Sequence, residues 1–372
     1  MIHFFVDRDG IHGIRAYLAG RGASLRDTIV PGEYDALLQA RAIPVASAIF
    51  AGVDQLGPAG RVEAGAICRA LAARPGIRAL NDASRVLGRF DLLRVLHEGH
   101  VNQFRAVRAS EPFTGLRYPV FIREEHLHTG ALTRPLPDAS AVERVLVRLA
   151  LHGRRRGDLL VVEFCDTRDE DGLYRKYSAM RIGDRLLPRH LHASAHWVSK
   201  SGSSTVDEGT VLEERRYFDT NPHERALWDV FRLANIEFGR VDYGFCRGAL
   251  QVWEINTNPT LARNPGASPG KTDPRHRALV EPGRLIFHRQ FVDALRALDT
   301  AETSGDLPIV IESADRSRIL AEQSVQRRRR GRRRLTQKLI DLTAVQTTRR
   351  VWAPLVELTT HLLARQRANR RP

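Results

Sequence analysis

The chain opens on an unbroken apolar run, Ile2 to Val6, that halts at Asp7-Arg8-Asp9-Gly10. A run this short, rich in β-favouring side chains, predicts a strand. A helical stretch follows to Leu18 and ends at Gly20 and Gly22. Ile43 to Phe50 reads as a second strand, and residues 62–74 as a helix stopped by Pro75-Gly76. Phe90 to Leu96 places its apolar residues on one helical face. Strand alternating with helix predicts a small βα domain over residues 1–103.

Beyond residue 104 the pattern changes. Tyr118 to Arg123 and Leu159 to Phe164 read as strands. Between them Ala139 to Leu151 is a helix, capped by Asp138 or Ser140, with Val142, Val145, Leu146 and Leu149 on one face. Residues 174–192 predict two strands around Gly183-Asp184. Asn221-Pro222 predicts the start of a helix that runs to about Asn235. Strands at 240–246 and 250–256 flank Arg247-Gly248. Strands with helices on one side predict an α+β core over 104–300. Residues 301–372 predict a linker and a tail in which Leu335, Leu339, Leu342, Trp352, Leu355 and Leu362 keep helical spacing.

Charge sharpens this division. The net charge is +15. From Arg316 onward there are 16 Lys+Arg against only Glu322, Asp341 and Glu357. A nearly neutral body therefore carries a basic tail, with RRRRGRRR at 327–334. Such a block suits a polyanion or a partner protein. Cys68, Cys165 and Cys246 are too few and too scattered for a disulfide framework or a CxxC zinc site. No apolar run is long enough to span a bilayer. The start lacks a basic leader, so cytoplasmic residence is the expectation.

The stretch richest in chemistry is GRVDYGFCRGALQVWEINTNP, Gly239 to Pro259. Folded as a hairpin turning near Gly248, it sets Asp242 opposite Glu254. Strand alternation then gives Glu254 and Asn256 one face, and Trp253 and Ile255 the other. Opposed strand residues have Cβ atoms ~4.5–5.5 Å apart, so the two carboxylates repel unless a cation lies between them. Two carboxylates and an amide oxygen suit Mg²⁺.

This stretch resembles the ATP-grasp superfamily, whose metal-binding strand reads E-x-N-x-x-P with an Asp about a dozen residues upstream. Gly239-Arg240-Val241-Asp242 is similar to the element in D-alanine–D-alanine ligases, and the Asp242–Glu254 spacing to that in ribosomal-protein glutamate ligases. The resemblance implies a pre-ATP-grasp βα domain, with LND (80–82) and residues 90–104 at its junction, then a two-subdomain core. ATP would lie between subdomains 104–162 and 163–300. It also implies Mg²⁺, or Mn²⁺, on Asp242, Glu254 and Asn256. Glu163, Phe164 and Cys165 would line the adenine pocket. Arg123, standing where the family has a Lys, and Lys176 or Arg181 would hold phosphates. Arg189 is a further candidate, and Arg240 would face an acyl phosphate. Alternation keeps Lys176 and Arg181 on opposite faces unless a bulge intervenes.

The implied activity is ATP-dependent ligation of a small-molecule or peptide carboxylate to an amine acceptor, in a monomer or a homo-oligomer. The competing expectations are a catalytically silent MgATP-binding protein and a protein that binds nucleic acid through its tail. The loop after Arg123 departs from the family, having Gly130 alone with His126 and His128. GASPGKT (266–272) is one residue short of a phosphate loop. His190 and His192 lack a third zinc ligand at a supportive spacing, and SGSST (201–205) reads as a loop.

Overall fold

The computed structural model describes residues 1–127, 130–198, 207–261, 274–299, 305–312, 314–328 and 331. The first part contains β1 (Ile2–Val6), α1 (Ile11–Ala19), β2 (Ile29–Glu33), α2 (Tyr34–Leu37), β3 (Ala42–Pro44), β4 (Ser47–Phe50), α3 (Pro58–Ala72), β5 (Ala79–Leu80) and α4 (Arg89–Glu98). A parallel sheet orders them β2-β1-β4-β5. Every residue of β1 is buried, as a strand covered on both faces must be. Phe4 and Val6 pack with Ile11 and Ile14 of α1, and Phe5 packs with Ile67 and Leu71 of α3.

A smaller body follows: β6 (Ala106–Arg108), β7 (Val120–Glu124), α5 (Ala139–Leu151) and β8 (Leu159–Glu163). Its antiparallel sheet runs β6-β8-β7. Asp138 is the N-cap of α5, accepting from the Ala141 amide at 2.8 Å. The third body holds β9 (Tyr174–Ile182), β10 (Arg185–Ser194), α6 (Glu208–Thr220), α7 (Glu224–Leu233), β11 (Phe238–Cys246), β12 (Ala249–Asn256) and α8 (Pro274–Arg296). Its antiparallel sheet runs β10-β9-β11-β12. This is the α/β-then-α+β succession that the hydrophobic pattern predicts. Among the described residues no helix is long and apolar enough to cross a membrane.

Three local expectations fail for physical reasons. Ile43–Phe50 is not one strand. Pro44, which has no N–H to donate, ends β3, and the chain changes partner there. Asn221-Pro222 does not open a helix; Asn221 takes a left-handed conformation (φ 42°) that closes α6, and α7 starts at Glu224. Residues past 300 are not a bare linker: β13 (Asp306–Pro308) pairs with β3, and Glu322 accepts from the Ala59 amide at the start of α3. Arg316 donates to the carbonyls of Gln39 and Ala40, and Arg327 pairs with Asp35.

Asn81 joins the first body to the third. It is fully buried with φ 70°. Its Nδ2 donates to the Phe50 and Phe238 carbonyls, and its Oδ1 accepts from the Glu237 and Phe238 amides, all within 3.0 Å. Asn102 does the same for the other edge, exchanging two hydrogen bonds with the Val252 backbone. These amides fix β11 and β12 relative to what precedes them.

Candidate active site

The β11–β12 hairpin pairs Asp242 with Glu254 and Arg240 with Asn256. The turn is tight, with Arg247 (φ 51°) and Gly248 (φ 79°) both left-handed. Cys246 pairs with Ala249 and Tyr243 with Val252, a register that by itself would set Asp242 against Trp253. A bulge between Asp242 and Tyr243 shifts the register and delivers Glu254 instead. The bulge also overturns the alternation expected for Trp253. Its indole lies over Gly244, on the Asp242 side, where an added Cβ would sit 2.5 Å from Trp253 Cη2. Gly244 is therefore required by the close approach of the ring.

Each carboxylate is met by two bases. Glu254 Oε2 accepts from Arg89 Nη2 and from Arg123 Nη2, both at 2.6 Å. Asp242 accepts from Arg240 Nε at 2.9 Å and from Ser178 Oγ at 2.7 Å, with Lys176 Nζ 3.5 Å away. Burial pushes the Asp242 carboxyl up, but Arg240, Lys176 and Ser178 together outweigh it and hold it below the usual range. Burial, with Arg89 alongside, pulls Arg123 down to about 10. Among the described residues the buried Arg123 Nε has no hydrogen-bond partner. Asn256 Oδ1 accepts from the Asn258 amide at 2.8 Å. Among the described residues no three His, Cys, Asp or Glu side chains form a metal-binding group. Two carboxylates and the Asn256 amide are thus the oxygen set on offer, and that chemistry fits a hard cation such as Mg²⁺.

Strand β9 separates the two phosphate-binding candidates. Ser178 pairs with Asp242, so Lys176, two residues away, shares its face. Arg181 does not join them. Its guanidinium lies 4.8 Å over the Trp228 ring on α7 and donates to the Ile236 and Gly183 carbonyls. No register shift interrupts β9 between the two positions; the shift lies in β10, between Pro188 and His190. That bulge opposes Arg189 and His190 to Ser178. His190 Nε2 is 2.9 Å from Ser178 Oγ, and His192 stacks on His190 at 4.2 Å. Burial and the surrounding cations push His192 down to about 3 and His190 well below its ordinary value, so both rings are neutral at pH 7.

At the end of β8 the Glu163 carboxylate is already committed. It accepts from the Arg105 and Arg117 amides and pairs with the Arg117 side chain. The wall beside it is aromatic: Trp197 meets Phe121 at 5.0 Å and Phe164 at 5.4 Å, and Trp253 packs against the same cluster. Cys165 is part of this wall, its thiol pushed up to about 12 by burial with Cys246 beside it.

The sequence pattern missed Arg89, Ser178, Trp197 and Trp253. Arg89 stands one residue before the amphipathic run at Phe90, directly after Gly88, the N-cap of α4. It also donates to the carbonyls of Glu124, Glu125 and Leu127. That long-range role has no local sequence signal. His128 and the 201–205 and 266–272 segments lie outside the described residues, as does the tail from 332 onward.

No family model and no curated protein matches the chain. Among solved structures it is similar to a D-alanine–D-alanine ligase from Bacillus anthracis complexed with ATP, at 15% identity and TM-score 0.46, over 80% of this chain and 96% of that one. A D-alanine–D-alanine ligase from Coxiella burnetii gives 12% identity and TM-score 0.44, over 88% and 98%. A RimK-domain ATP-grasp protein from Sphaerobacter thermophilus gives 16% identity and TM-score 0.40, over 79% and 98%.

Proposed function

We propose that the protein is an ATP-grasp-type ligase that activates a carboxylate as an acyl phosphate and passes it to an amine or related nucleophile. The observation that supports this best is the facing pair Asp242 and Glu254, with Asn256 next on the strand, ringed by bases from α4, β7, β9 and β11. Acids and bases interleaved in this way suit a metal–phosphate complex, in which each sign of charge has a partner.

Asp242, Glu254 and Asn256 would hold Mg²⁺ or Mn²⁺. Bound there, the ion would neutralise phosphate charge and align the transfer. Arg123 and Lys176 would grip phosphate oxygens. Arg123, already spent on Glu254, exchanges a carboxylate for a phosphate partner. Arg89 keeps its three carbonyl contacts and holds the strand end that carries Arg123. Arg240, fixed against Asp242, would stabilise the oxyanion that develops on the acyl phosphate. Phe121, Phe164, Trp197 and Trp253 would enclose the base and exclude water. A polyanion or protein partner for the Arg-rich tail stays part of the proposal.

Asp242→Asn and Glu254→Gln are expected to abolish carboxylate-dependent ADP release, measured by coupled assay over pooled carboxylates and amines with Mg²⁺. Both variants are expected to stay folded by circular dichroism. Normal ADP release by either folded variant would overturn the assignment, and MgATP binding without any ADP release would favour the silent nucleotide-binding protein.

A further inference from the structure

One cation beside the site lacks a described counter-charge. Arg189 sits at the β10 bulge, with its guanidinium 4.3 Å over the Phe287 ring of α8. Its one polar contact among the described residues is a long one, Nη2 to the Leu261 carbonyl at 3.5 Å. No carboxylate among the described residues lies within ion-pair distance of it. The other bases around it each have a carboxylate, though a shared one: Arg240 and Lys176 share Asp242, and Arg21 and Arg284 share Glu281. The acid nearest in effect, Glu214, accepts from the Leu191 amide at 3.0 Å, and burial pushes its carboxyl up, which weakens it as a counter-ion.

Arg189 is also held where its charge is costly. Burial lowers it to about 10, and Arg240, Arg284 and Arg21 each push it further the same way. His190, next to it on the strand, is neutral and adds no further positive charge. A half-buried guanidinium among like charges and without a counter-ion is unfavourable until an anion arrives. Its surface is not closed off: the residue keeps partial exposure. The strand register accounts for its direction. The register running through Leu187–Met180 and Pro188–Ala179 sets Arg189 opposite Ser178, on the same face as Asp242 and Lys176, and the bulge adds His190 beside it. Phe287 supports the flat guanidinium from one side and leaves its N–H edge for a ligand.

We infer that Arg189 is a recognition site for a second anionic group on the substrate, a carboxylate or phosphate separate from the carboxyl group that reacts. This deepens, and rests on, the ligase function just proposed: the substrate class becomes one with at least two anionic groups. Arg240 and Lys176 serve the reacting end, and Arg189 on β10 serves the distal one.

The test is calorimetric titration of the full-length protein, with Mg²⁺ and the ATP analogue AMPPNP present, using matched pairs. The pairs are propionate with succinate, L-alanine with L-aspartate, and L-serine with O-phospho-L-serine. The wild type is expected to bind the extra-anion member of at least one pair roughly ten-fold more tightly, and Arg189→Met is expected to erase that preference. The aspartate and phosphoserine arms separate carboxylate from phosphate. Arg189→Lys, which keeps charge without the bidentate fork, is expected to retain part of the preference and serves if the Met variant does not fold. No preference in the wild type in any pair, or a preference that survives Arg189→Met, overturns the inference. AMPPNP affinity is read in the same series. Nucleotide binding without anion preference sinks the Arg189 site alone. Anion preference without nucleotide binding sinks the ligase function alone.

Discussion

On one face of β9, Arg175 gives its whole guanidinium to Asp169, Asp171 and Glu213, and Tyr177 donates to the same Glu213. On the other face, Lys176 shares the single carboxylate of Asp242 with Arg240. The strand is one and the residues are adjacent, yet on one side a single base meets three carboxylates and on the other two bases share one. Structural bases sit among acids supplied by the fold. Bases on the site face sit where the fold supplies too few acids, a balance that the proposed nucleotide's charge would complete.

Substitutions on either side of this strand sharpen the contrast. The largest effect is expected from Lys176→Met, a fall of about 100-fold in carboxylate-dependent ADP formation with little change in melting temperature. Arg181→Met should do the reverse, lowering the melting temperature through loss of the Trp228 stacking and two carbonyl contacts while turnover stays near wild type. Equal losses of turnover from both would erase the difference between the faces. Gly244→Ala should cost about 1–3 kcal/mol in urea unfolding, because the new Cβ meets Trp253 on one side and the Arg175 carbonyl at 2.8 Å on the other. It should also raise the KM for ATP, since Trp253 must move. Arg175→Gln should cost about 1 kcal/mol, its partners being largely exposed, and leave turnover intact.

The last effect is spread over pH. The folded chain holds His192 neutral down to about 3, whereas the unfolded chain protonates it near about 6.5. The unfolded state binds the extra proton between these values, so stability falls as pH drops through that window. His192→Asn should flatten the dependence of unfolding free energy on pH by at most about 1.4 kcal/mol per unit. An unchanged slope would show that His192 does not carry it.

How far the site was legible in the chain follows the same division. Gly239 to Pro259 revealed the facing carboxylates because turn residues and alternation act locally. The pairing came out right although the turn register differs by one, since the bulge at Trp253 compensates. A bulge depends on what packs against the strand, here an indole over Gly244, and leaves no mark in alternation. Lys176 against Arg181 was left open by sequence, and the unbroken register of β9 decides where they point. Arg89 was invisible because its partners lie 35 to 165 residues away. Helices α6 and α8 escaped for a compositional reason: each is rich in charge, α6 buries only Tyr217 and Phe218, and α8 contains Pro282.

The Asn81 amide has a mechanical consequence. With all its bonding capacity spent on Phe50, Glu237 and Phe238, it leaves no slack between the parallel sheet and the strand that bears Asp242. In the proposed ligase those two parts would move together, and any widening for nucleotide entry would fall to residues 106–163. The contact of that segment with those parts includes the Arg123–Glu254 pair, a latch made of charge that the polyphosphate of the proposed substrate would unfasten.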